Sequence, residues 1–311
     1  MNSVSGESHT PDHVMQTSLG RPSPSRVEIA VRVAGLVLAG LTSIPMIADA
    51  ASINAPCQLA QLGIANGISS TVNLTDCTIS HNFANLPGSS GGGIASQGMA
   101  ILNKCTVTGN TATVGGGIAN AGHLFLTDSP VTGNHAIAAN IISCQFTGLG
   151  GGIFNAPVQD STVTLIHSPI TGNEAIAAKS SSGCSSNGIS NTGLGGGILN
   201  GAFSGVFGTA RLTDSDVSGN SAASGGGIAN VGPMTLTRSN VTGNNSTGDG
   251  GGIFNLTDRG PGGKPIAALT LTDSNVTDNH AGGDGGGIFN QTGNKVTLNQ
   301  STVTGNTPDD F

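Results

Sequence analysis

The sequence predicts an all-β fold in which the chain winds as a parallel β-helix, a solenoid of about eight coils with three short strands per coil. A Gly-Gly-Gly-Ile motif recurs, beginning at Gly91, Gly115, Gly150, Gly195, Gly225, Gly250 and Gly285. Each copy is followed by a segment of the type Leu-x-x-Ser-x-Val-Thr-Gly-Asn, and the shortest repeat is 24 residues. Repeats of this size indicate stacked supersecondary units, none of which buries its apolar face alone.

Three columns of apolar residues predict the three strands of each coil. Each column lies in a run of three to five residues with strand-like alternation, and no helix-length apolar periodicity separates them. Coils stacked about 4.8 Å apart would place like residues over like residues. The columns are Ile94, Ile118, Ile153, Ile198, Ile228, Ile253, Ile288; Leu74, Leu102, Leu126, Leu165, Leu212, Leu236, Leu271, Leu298; and Ile79, Val107, Val131, Ile170, Val217, Val241, Val276, Val303.

Small polar columns support the same arrangement. One inward column begins with Cys77 and Cys105 and continues with Ser129, Ser168, Ser215, Ser239, Ser274 and Ser301. An asparagine ends each repeat at a corner where left-handed backbone is tolerated, and its amide is predicted to bond to the coils above and below as a ladder. These asparagines are Asn82, Asn110, Asn134, Asn173, Asn220, Asn244, Asn279 and Asn306. The Gly triplet is typical of a bend where backbones pack closely.

The GGGI-x-N and S-x-V-T-G-N motifs resemble the repeats of bacterial right-handed β-helix proteins of the pectin-lyase-like superfold. They are also similar to the repeats of polymorphic outer-membrane adhesins, although those carry GGAI and a regular F-x-x-N partner. The resemblance covers roughly residues 72–306 and implies a right-handed, single-stranded parallel β-helix. The resemblance says little about function, because proteins with this superfold include lyases, hydrolases, adhesins and structural shafts.

The ends of the chain differ from the repeats. Residues 1–50 read as a leader and a secretory signal peptide, because Arg26 and Arg32 precede the apolar run 33–41 and Ala48-Asp49-Ala50 has the shape of a cleavage site. An uncleaved anchor is the alternative, but the run is short and is followed by Pro45. Residues 51–71 are predicted to cap the first coil. Residues 72–311 form the β-helix, with loop insertions near 135–149, 174–194, 201–210 and 257–266.

Composition and cysteine usage favour an exported protein that is secreted or held at the cell surface. From residue 51 onward the chain has 7 Lys and Arg and 13 Asp and Glu, hence a net charge of −6, and no basic patch favours nucleic acid. Five cysteines fit an oxidising compartment. Cys144 and Cys184 lie in two insertions that echo each other, which predicts a disulfide between them. Cys77 could pair with Cys105 or with Cys57, or Cys77 and Cys105 could both stay buried thiols.

A charged column lies two residues after the leucine column. Its signs nearly alternate, which favours an exposed ladder of opposite charges. The alternative interpretation makes Asp214, Arg238 and Asp273 a polyuronate lyase site, in which the acidic residues would hold Ca²⁺ and the arginine would act as the base. The ladder is preferred because the alternation extends over many coils. The members are Asp76, Lys104, Asp128, His167, Asp214, Arg238, Asp273 and Gln300.

Two further sets of residues are candidates for a site. Asp249 and Asp284 each precede a Gly triplet, so a Ca²⁺ ion shared between them is the one cofactor considered, although turn residues are the simpler interpretation. A stripe of large apolar residues follows the isoleucine column and should face outward. It marks either a contact surface or a surface covered by the insertion loops. The stripe consists of Phe154, Leu199, Phe254 and Phe289.

Together these patterns predict a secreted or cell-surface, non-catalytic β-helix protein with a structural or adhesive role, which binds other cells, matrix or glycans. Its expected partners are an extracellular polysaccharide or a surface protein, and end-to-end self-association is a further option. No membrane span is expected after signal cleavage, and no cofactor is required. The alternative is a polysaccharide-active enzyme on the same fold, either a Ca²⁺-dependent lyase of the pectate-lyase type or a glycoside hydrolase.

Overall fold

The structure is a computed structural model that confirms the parallel β-helix. It describes residues 51–53, 57–60, 63–84, 89–138, 147–156, 161–177, 185–186, 189–190, 192–201, 207–256 and 267–311. In this part of the chain, short parallel strands stack in register into four long sheets. No helix within the same residues is long and apolar enough to cross a membrane.

The leucine sheet, named for the column that it contains, has nine strands within the described residues. Its five-residue strands up to Ala268–Thr272 bury their second and fourth side chains, whereas the first, third and fifth point outward. In the last strand, Val296 is only partly buried and Leu298 is 38% exposed. Leu126 pairs in register with Leu102 on one side and Leu165 on the other. The strands are Ala51–Ile53, Thr71–Thr75, Met99–Asn103, His123–Thr127, Thr162–Ile166, Thr209–Thr213, Pro233–Thr237, Ala268–Thr272 and Lys295–Asn299.

Two more sheets complete the predicted set. The isoleucine sheet has eight described strands, which are Ile64–Asn66, Ile94–Ser96, Ile118–Asn120, Ile153–Asn155, Ile198–Asn200, Ile228–Asn230, Ile253–Asn255 and Ile288–Asn290. The valine sheet has nine, which are Cys57–Ala60, Cys77–Ser80, Thr106–Thr108, Val131–Thr132, Ile170–Thr171, Val217–Ser218, Val241–Thr242, Val276–Thr277 and Val303–Thr304. The apolar columns of all three sheets meet in one continuous buried core.

The structure adds a fourth sheet that the three-strand pattern did not predict. This corner sheet follows the asparagine at the end of each repeat and has six strands in the described chain. They are Thr111–Ala112, His135–Ile137, Glu174–Ile176, Ser221–Ala222, Asn245–Ser246 and His280–Ala281. Two small sheets lie beside it, one a parallel pair of Thr147–Leu149 with Thr192–Leu194, the other an antiparallel pair of Ser185–Ser186 with Ile189–Ser190.

The predicted asparagine ladder is confirmed. From Asn82 to Asn306, each corner amide donates from Nδ2 to Oδ1 of the asparagine in the next coil, over 2.7–3.0 Å. The same Oδ1 also accepts the backbone N–H of the preceding asparagine, as Asn244 does for Asn220 at 3.0 Å. Because these groups are buried, the ladder satisfies amides that would otherwise be costly to leave unpaired.

A second asparagine ladder runs along the isoleucine sheet. It is formed by the final asparagine of GGGI-x-N, and its links from Asn120 to Asn290 are 2.8–2.9 Å long. The cysteine and serine column forms a third ladder, in which each backbone N–H donates to the sulfur or hydroxyl of the next coil. The repeat therefore encodes three polar ladders around one apolar core.

The Gly triplets form the tight bend that enters the isoleucine sheet. The first glycine of each triplet has a positive φ, such as 62° at Gly115. A Cβ on the second glycine, Gly116, would clash with the carbonyl oxygens of Gly151 and His135. A side chain at that glycine would therefore force the stacked coils apart.

The two ends of the described β-helix are covered differently. The segment 51–71, predicted as a cap, contributes one edge strand to each of the leucine, valine and isoleucine sheets. At the other end, Asp310 Oδ1 accepts two hydrogen bonds from Asn306 and so terminates the corner ladder. The backbone oxygens of Asp309 and Asp310 accept the N–H groups of Gly287 and Ile288.

Candidate binding surface

The charged column forms a continuous ridge at the bend between the leucine and valine sheets. All eight of its members have a positive φ, between 48° and 55°. This left-handed backbone turns each coil sharply and points the side chain into solvent, one above the next. Aspartate tolerates the conformation well, whereas Lys104, Arg238 and Gln300 adopt it at a cost.

Within this ridge, Asp214 and Arg238 form a two-pronged ion pair. Arg238 donates from Nε to Asp214 Oδ1 at 2.8 Å and from Nη2 to Oδ2 at 2.7 Å. The hydrogen bond from Arg238 lowers the pKa of Asp214, and the same bond raises the pKa of the guanidinium. His167 lies 3.6 Å from both Asp128 and Asp214. Asp214 and Arg238 therefore neutralise each other, and their arrangement is that of the predicted charge ladder.

Asp273 follows Arg238 in the ridge and adds a smaller contribution to the raised pKa of the guanidinium. The structure thus places Asp214, Arg238 and Asp273 in a row along an exposed edge, one per coil. A lyase site would instead bring acid and base groups together around one substrate carbon. A catalytic role for these three residues stays a prediction.

The apolar stripe lies on the outer side of the isoleucine sheet and forms a second hydrophobic cluster. Leu199 is 0% exposed and Phe254 is 2% exposed, whereas Phe154 and Phe289 are partly buried. The rings of Phe254 and Phe289 are 5.2 Å apart and tilted by 46°. The other members of the cluster are Val114, Leu149, Leu194, Ala229, Val231 and Leu256.

The covering of this stripe comes from residues just before some of the Gly triplets and from residues just after isoleucine-sheet strands. Leu149 and Leu194 stand directly before their triplets and pair with each other in the small parallel sheet. They pack on the stripe together with Val231 and Leu256, each of which follows an isoleucine-sheet strand. For Leu199 and Phe254 the structure thus matches the covered alternative, and ligand binding by the stripe stays a prediction.

The remaining predicted site residues are placed as follows. Asp249 Oδ1 accepts the backbone N–H of Asp284 at 3.0 Å, which is the bond of a turn residue. No cluster of three or more His, Cys, Asp or Glu side chains suited to a metal ion occurs among the residues that the structure describes. Cys144 and Cys184 lie outside those residues, so their predicted disulfide stays a prediction. Cys57 is joined to Cys77, with an S–S distance of 2.06 Å.

The largest solvent-facing apolar group that the sequence analysis missed lies on the outer face of the leucine sheet. Met99 and Phe125 are each 36% exposed and Ile166 is 38% exposed, in three successive coils. Ile101 is the in-register neighbour of Phe125 and is partly buried. Such a cluster of large apolar side chains on an otherwise polar sheet is typical of a contact surface.

The rest of this face is polar but has no acidic side chain. Each five-residue strand of the sheet has three outward positions, and none of them holds Asp or Glu. Threonine occupies half of them, and the basic or imidazole side chains are His123, Arg211 and Lys295. A chain with a net charge of −7 therefore presents one flat face that is free of carboxylates.

The alternation in the five-residue strands was the signal that could have revealed this face. Phe125 and Ile101 stand at the third position of their strands, between two buried side chains. Comparing the third column across coils, where six of the eight residues are polar, would have shown Ile101 and Phe125 as exceptions.

In comparisons with known proteins, no family model matches the chain, and no curated protein or solved structure matches it at a significant level. The parallel β-helix is therefore established by the structure, whereas the relationship to pectin-lyase-like proteins stays a prediction.

Proposed function

We propose that this chain is a secreted or cell-surface, non-catalytic β-helix protein with an adhesive role, and that the outer face of the leucine sheet binds an extracellular polysaccharide. The Cys57–Cys77 disulfide supports export, because disulfides persist in oxidising compartments. The observation on which the proposal depends is the exposed cluster of Met99, Phe125 and Ile166 on a flat, carboxylate-free face.

The chemistry of this face suits a sugar polymer better than a folded protein. The ring of Phe125 offers an apolar surface for the C–H face of a sugar, and the threonine hydroxyls around it are donors and acceptors for sugar hydroxyls. In-register strands repeat the threonine hydroxyls in many of the coils, about every 4.8 Å along the axis. A linear polysaccharide lying along the axis would therefore meet similar contacts at each coil.

A non-catalytic role is favoured by the charged ridge. Asp214 and Arg238, which an enzyme would need as reactive groups, are paired with each other and exposed. A catalytic carboxylate is more often held in a cleft with its pKa shifted toward the working pH, whereas the pKa of Asp214 is lowered by its arginine partner.

The proposal is tested by binding of the exported protein to immobilised polysaccharides, compared with Phe125→Ala. We expect this variant to weaken binding by about tenfold, the upper range for a lost aromatic contact. Phe83→Ala is the matched control, since Phe83 is exposed but lies beside the corner sheet, and it should bind as the wild type does.

Three outcomes would overturn the proposal. The first is binding that Phe125→Ala leaves unchanged, and the second is capture of a surface protein with no polysaccharide binding at all. The third is release of unsaturated products from a uronate polymer in the presence of Ca²⁺, with loss of that activity in Arg238→Gln. The third result would establish the enzyme alternative.

A further inference from the structure

Three cysteines follow one another in a single column at the N-terminal end of the β-helix. Cys57 and Cys77 are in-register partners in the valine sheet, with their Cα atoms 4.5 Å apart, and they form the disulfide. Cys105 occupies the same position in the next coil, because the neighbouring pair Thr78 and Thr106 is in register. The backbone N–H of Cys77 donates to Cys105 Sγ at 3.4 Å.

Cys105 is a buried thiol that performs the role of a serine. Its Sγ donates to Asn103 O at 3.4 Å, just as Ser129 Oγ donates to Thr127 O at 2.7 Å in the next coil. Six of the nine positions in this column are serine, so the ladder itself does not require sulfur. A thiol at this place adds chemistry that a hydroxyl lacks.

We propose that Cys105 makes the disulfide mobile, so that the bond between Cys57 and Cys77 can move one coil along the column and become a bond between Cys77 and Cys105. The Cys105 thiolate attacks Cys77 Sγ, the new S–S bond forms as the old one breaks, and Cys57 leaves as a thiolate. The proton released by Cys105 enters the solvent and Cys57 takes up another. The exchange is redox-neutral and needs no external oxidant or reductant.

The stacking of the coils provides the geometry for this exchange. Successive coils place in-register side chains about 4.8 Å apart, which lies inside the range of Cα separations that disulfides span. Cys77 is the middle of the three, so it can bond to either neighbour but not to both. Because the strands of Cys57 and Cys105 lie on opposite sides of the strand of Cys77, Cys105 approaches Cys77 from the side opposite to Cys57, as displacement at sulfur requires.

Burial of Cys105 governs the rate of the exchange. Desolvation raises the pKa of the Cys105 thiol, so little of it is thiolate at neutral pH and the attack is slow. Exchange should therefore accelerate as the pH rises. The exchange has a local structural consequence. The disulfide no longer holds the strand Cys57–Ala60 and instead joins the next two strands of the valine sheet. The edge strand would then lose its covalent link but keep its backbone pairing with Cys77–Ser80, the hydrogen bond from Asn82 Nδ2 to Leu59 O and the packing of Leu59 on the core.

The pairing can be read directly from peptides of the full-length exported protein. Cleavage before Asp76 and after Lys104 puts the three cysteines on three separate peptides, which are the one that ends at residue 75, residues 76–104 and residues 105–127. Digestion with endoproteinase Asp-N and trypsin at acidic pH after alkylation, followed by mass spectrometry, identifies each linked pair.

The first test compares the wild type with Cys105→Ser in the presence of iodoacetamide at pH 7 and pH 9. We expect alkylation of Cys57 in the wild type, together with the linked peptides of Cys77 and Cys105, and at least a tenfold higher rate at pH 9. Cys105→Ser keeps the ladder and should leave Cys57 unlabelled. Equal labelling of Cys57 in both proteins would overturn the proposal.

The second test uses Cys57→Ser, which removes the outer partner. In the glutathione buffer that oxidises the wild type, this variant should form a disulfide between Cys77 and Cys105. Recovery of both cysteines as free thiols would contradict the proposal. If Cys57→Ser does not fold, the comparison of the wild type with Cys105→Ser still decides the question.

Discussion

Arg238 holds the carboxylate of Asp214 with two hydrogen bonds from the next coil, while both residues adopt left-handed backbone with φ of 48° and 49°. The backbone turn aims both side chains outward from one edge, and the coil spacing brings their charged groups within hydrogen-bonding distance. The same geometry continues along the edge to His167 and Asp128. The charge ladder is thus a consequence of a sharp bend repeated in every coil.

Removing the guanidinium should raise the pKa of Asp214. In Arg238→Gln, the carboxyl loses the hydrogen bond that lowers its pKa, so its titration by NMR should move up toward the ordinary range of aspartate. Because the native pKa is depressed, any stability from the pair is complete above the unfolded pKa and is lost as the pH falls through the native one. An unchanged titration would show that the ion pair does not persist in solution.

The corner ladder predicts that replacing two adjacent asparagines, Asn244 and Asn245, has very different effects on stability. Asn244 is buried and exchanges hydrogen bonds with Asn220 and Asn279, whereas the Asn245 side chain faces solvent. We expect Asn244→Ala to lower the free energy of unfolding by about 3 kcal/mol, because it leaves buried donors without acceptors. Asn245→Ala should change it by about 0.5 kcal/mol or less. Similar denaturant midpoints for the two variants would contradict the ladder.

The positive φ at Gln300 predicts whether glycine or alanine is the more stable replacement at this position. Gln300 is exposed and has a φ of 48°. Gln300→Gly should be more stable than Gln300→Ala by about 1 kcal/mol, since only glycine adopts this region without a Cβ penalty. Thermal unfolding of the two variants measures the difference. If alanine proves the more stable, the bend does not have the backbone that is described here.

Replacing two phenylalanines distinguishes a ring that is packed inside a hydrophobic cluster from a ring that lies on the surface. Phe254 lies inside the second hydrophobic cluster, so Phe254→Ala should lower the free energy of unfolding by about 4 kcal/mol. Phe125 lies on the outer face of the leucine sheet, and Phe125→Ala should cost about 0.5 kcal/mol or less. Urea unfolding tests both. A large loss of stability in Phe125→Ala would mean that this ring is covered in solution.

The end of the corner ladder depends on one carboxylate. Asp310 Oδ1 accepts from the backbone N–H of Asn306 at 3.1 Å and from its side-chain amide at 2.9 Å. Asp310→Ala should accelerate hydrogen exchange at the Asn306 amide by about tenfold, the effect of losing one charge-assisted bond. Asp310→Asn retains an acceptor oxygen and should exchange much more slowly than Asp310→Ala. If the Asn306 amide exchanges hydrogen equally fast in both variants, a group other than Asp310 protects it.

The parallel β-helix, its three apolar columns and the corner asparagine ladder could be predicted, because each depends on residues that recur at the same place in every repeat. Leu126 and Asn134 are examples, since their neighbours in the stack are the same residue types. The right-handed sense and the number of coils stay predictions. The corner sheet was missed because strands such as Thr111–Ala112 are too short to show alternation.

The candidate site was harder to predict, because it depends on residues that break the repeat. Phe254 is buried in a cluster of apolar residues outside the three predicted columns, and the apolar residues directly before some Gly triplets, such as Leu149 and Leu194, were the only hint of that cluster. Left-handed backbone at Lys104 and Arg238 could not be foreseen, since these residue types seldom adopt it. Phe125 was overlooked because it and Ile101 interrupt a column of mostly polar residues in two coils only, without a pattern that recurs.

The minimal repeat also determines how the length of this molecule can change. Residues 111–134 contain one strand of every long sheet and end on a ladder asparagine, 24 residues after Asn110. Excising them would join Asn110 directly to His135, which starts the equivalent segment. Recombination at the level of one such unit would shorten or extend the rod in steps of about 4.8 Å and leave its cross-section unaltered. Evolution can therefore adjust the reach of the protein in small increments without redesigning its interior.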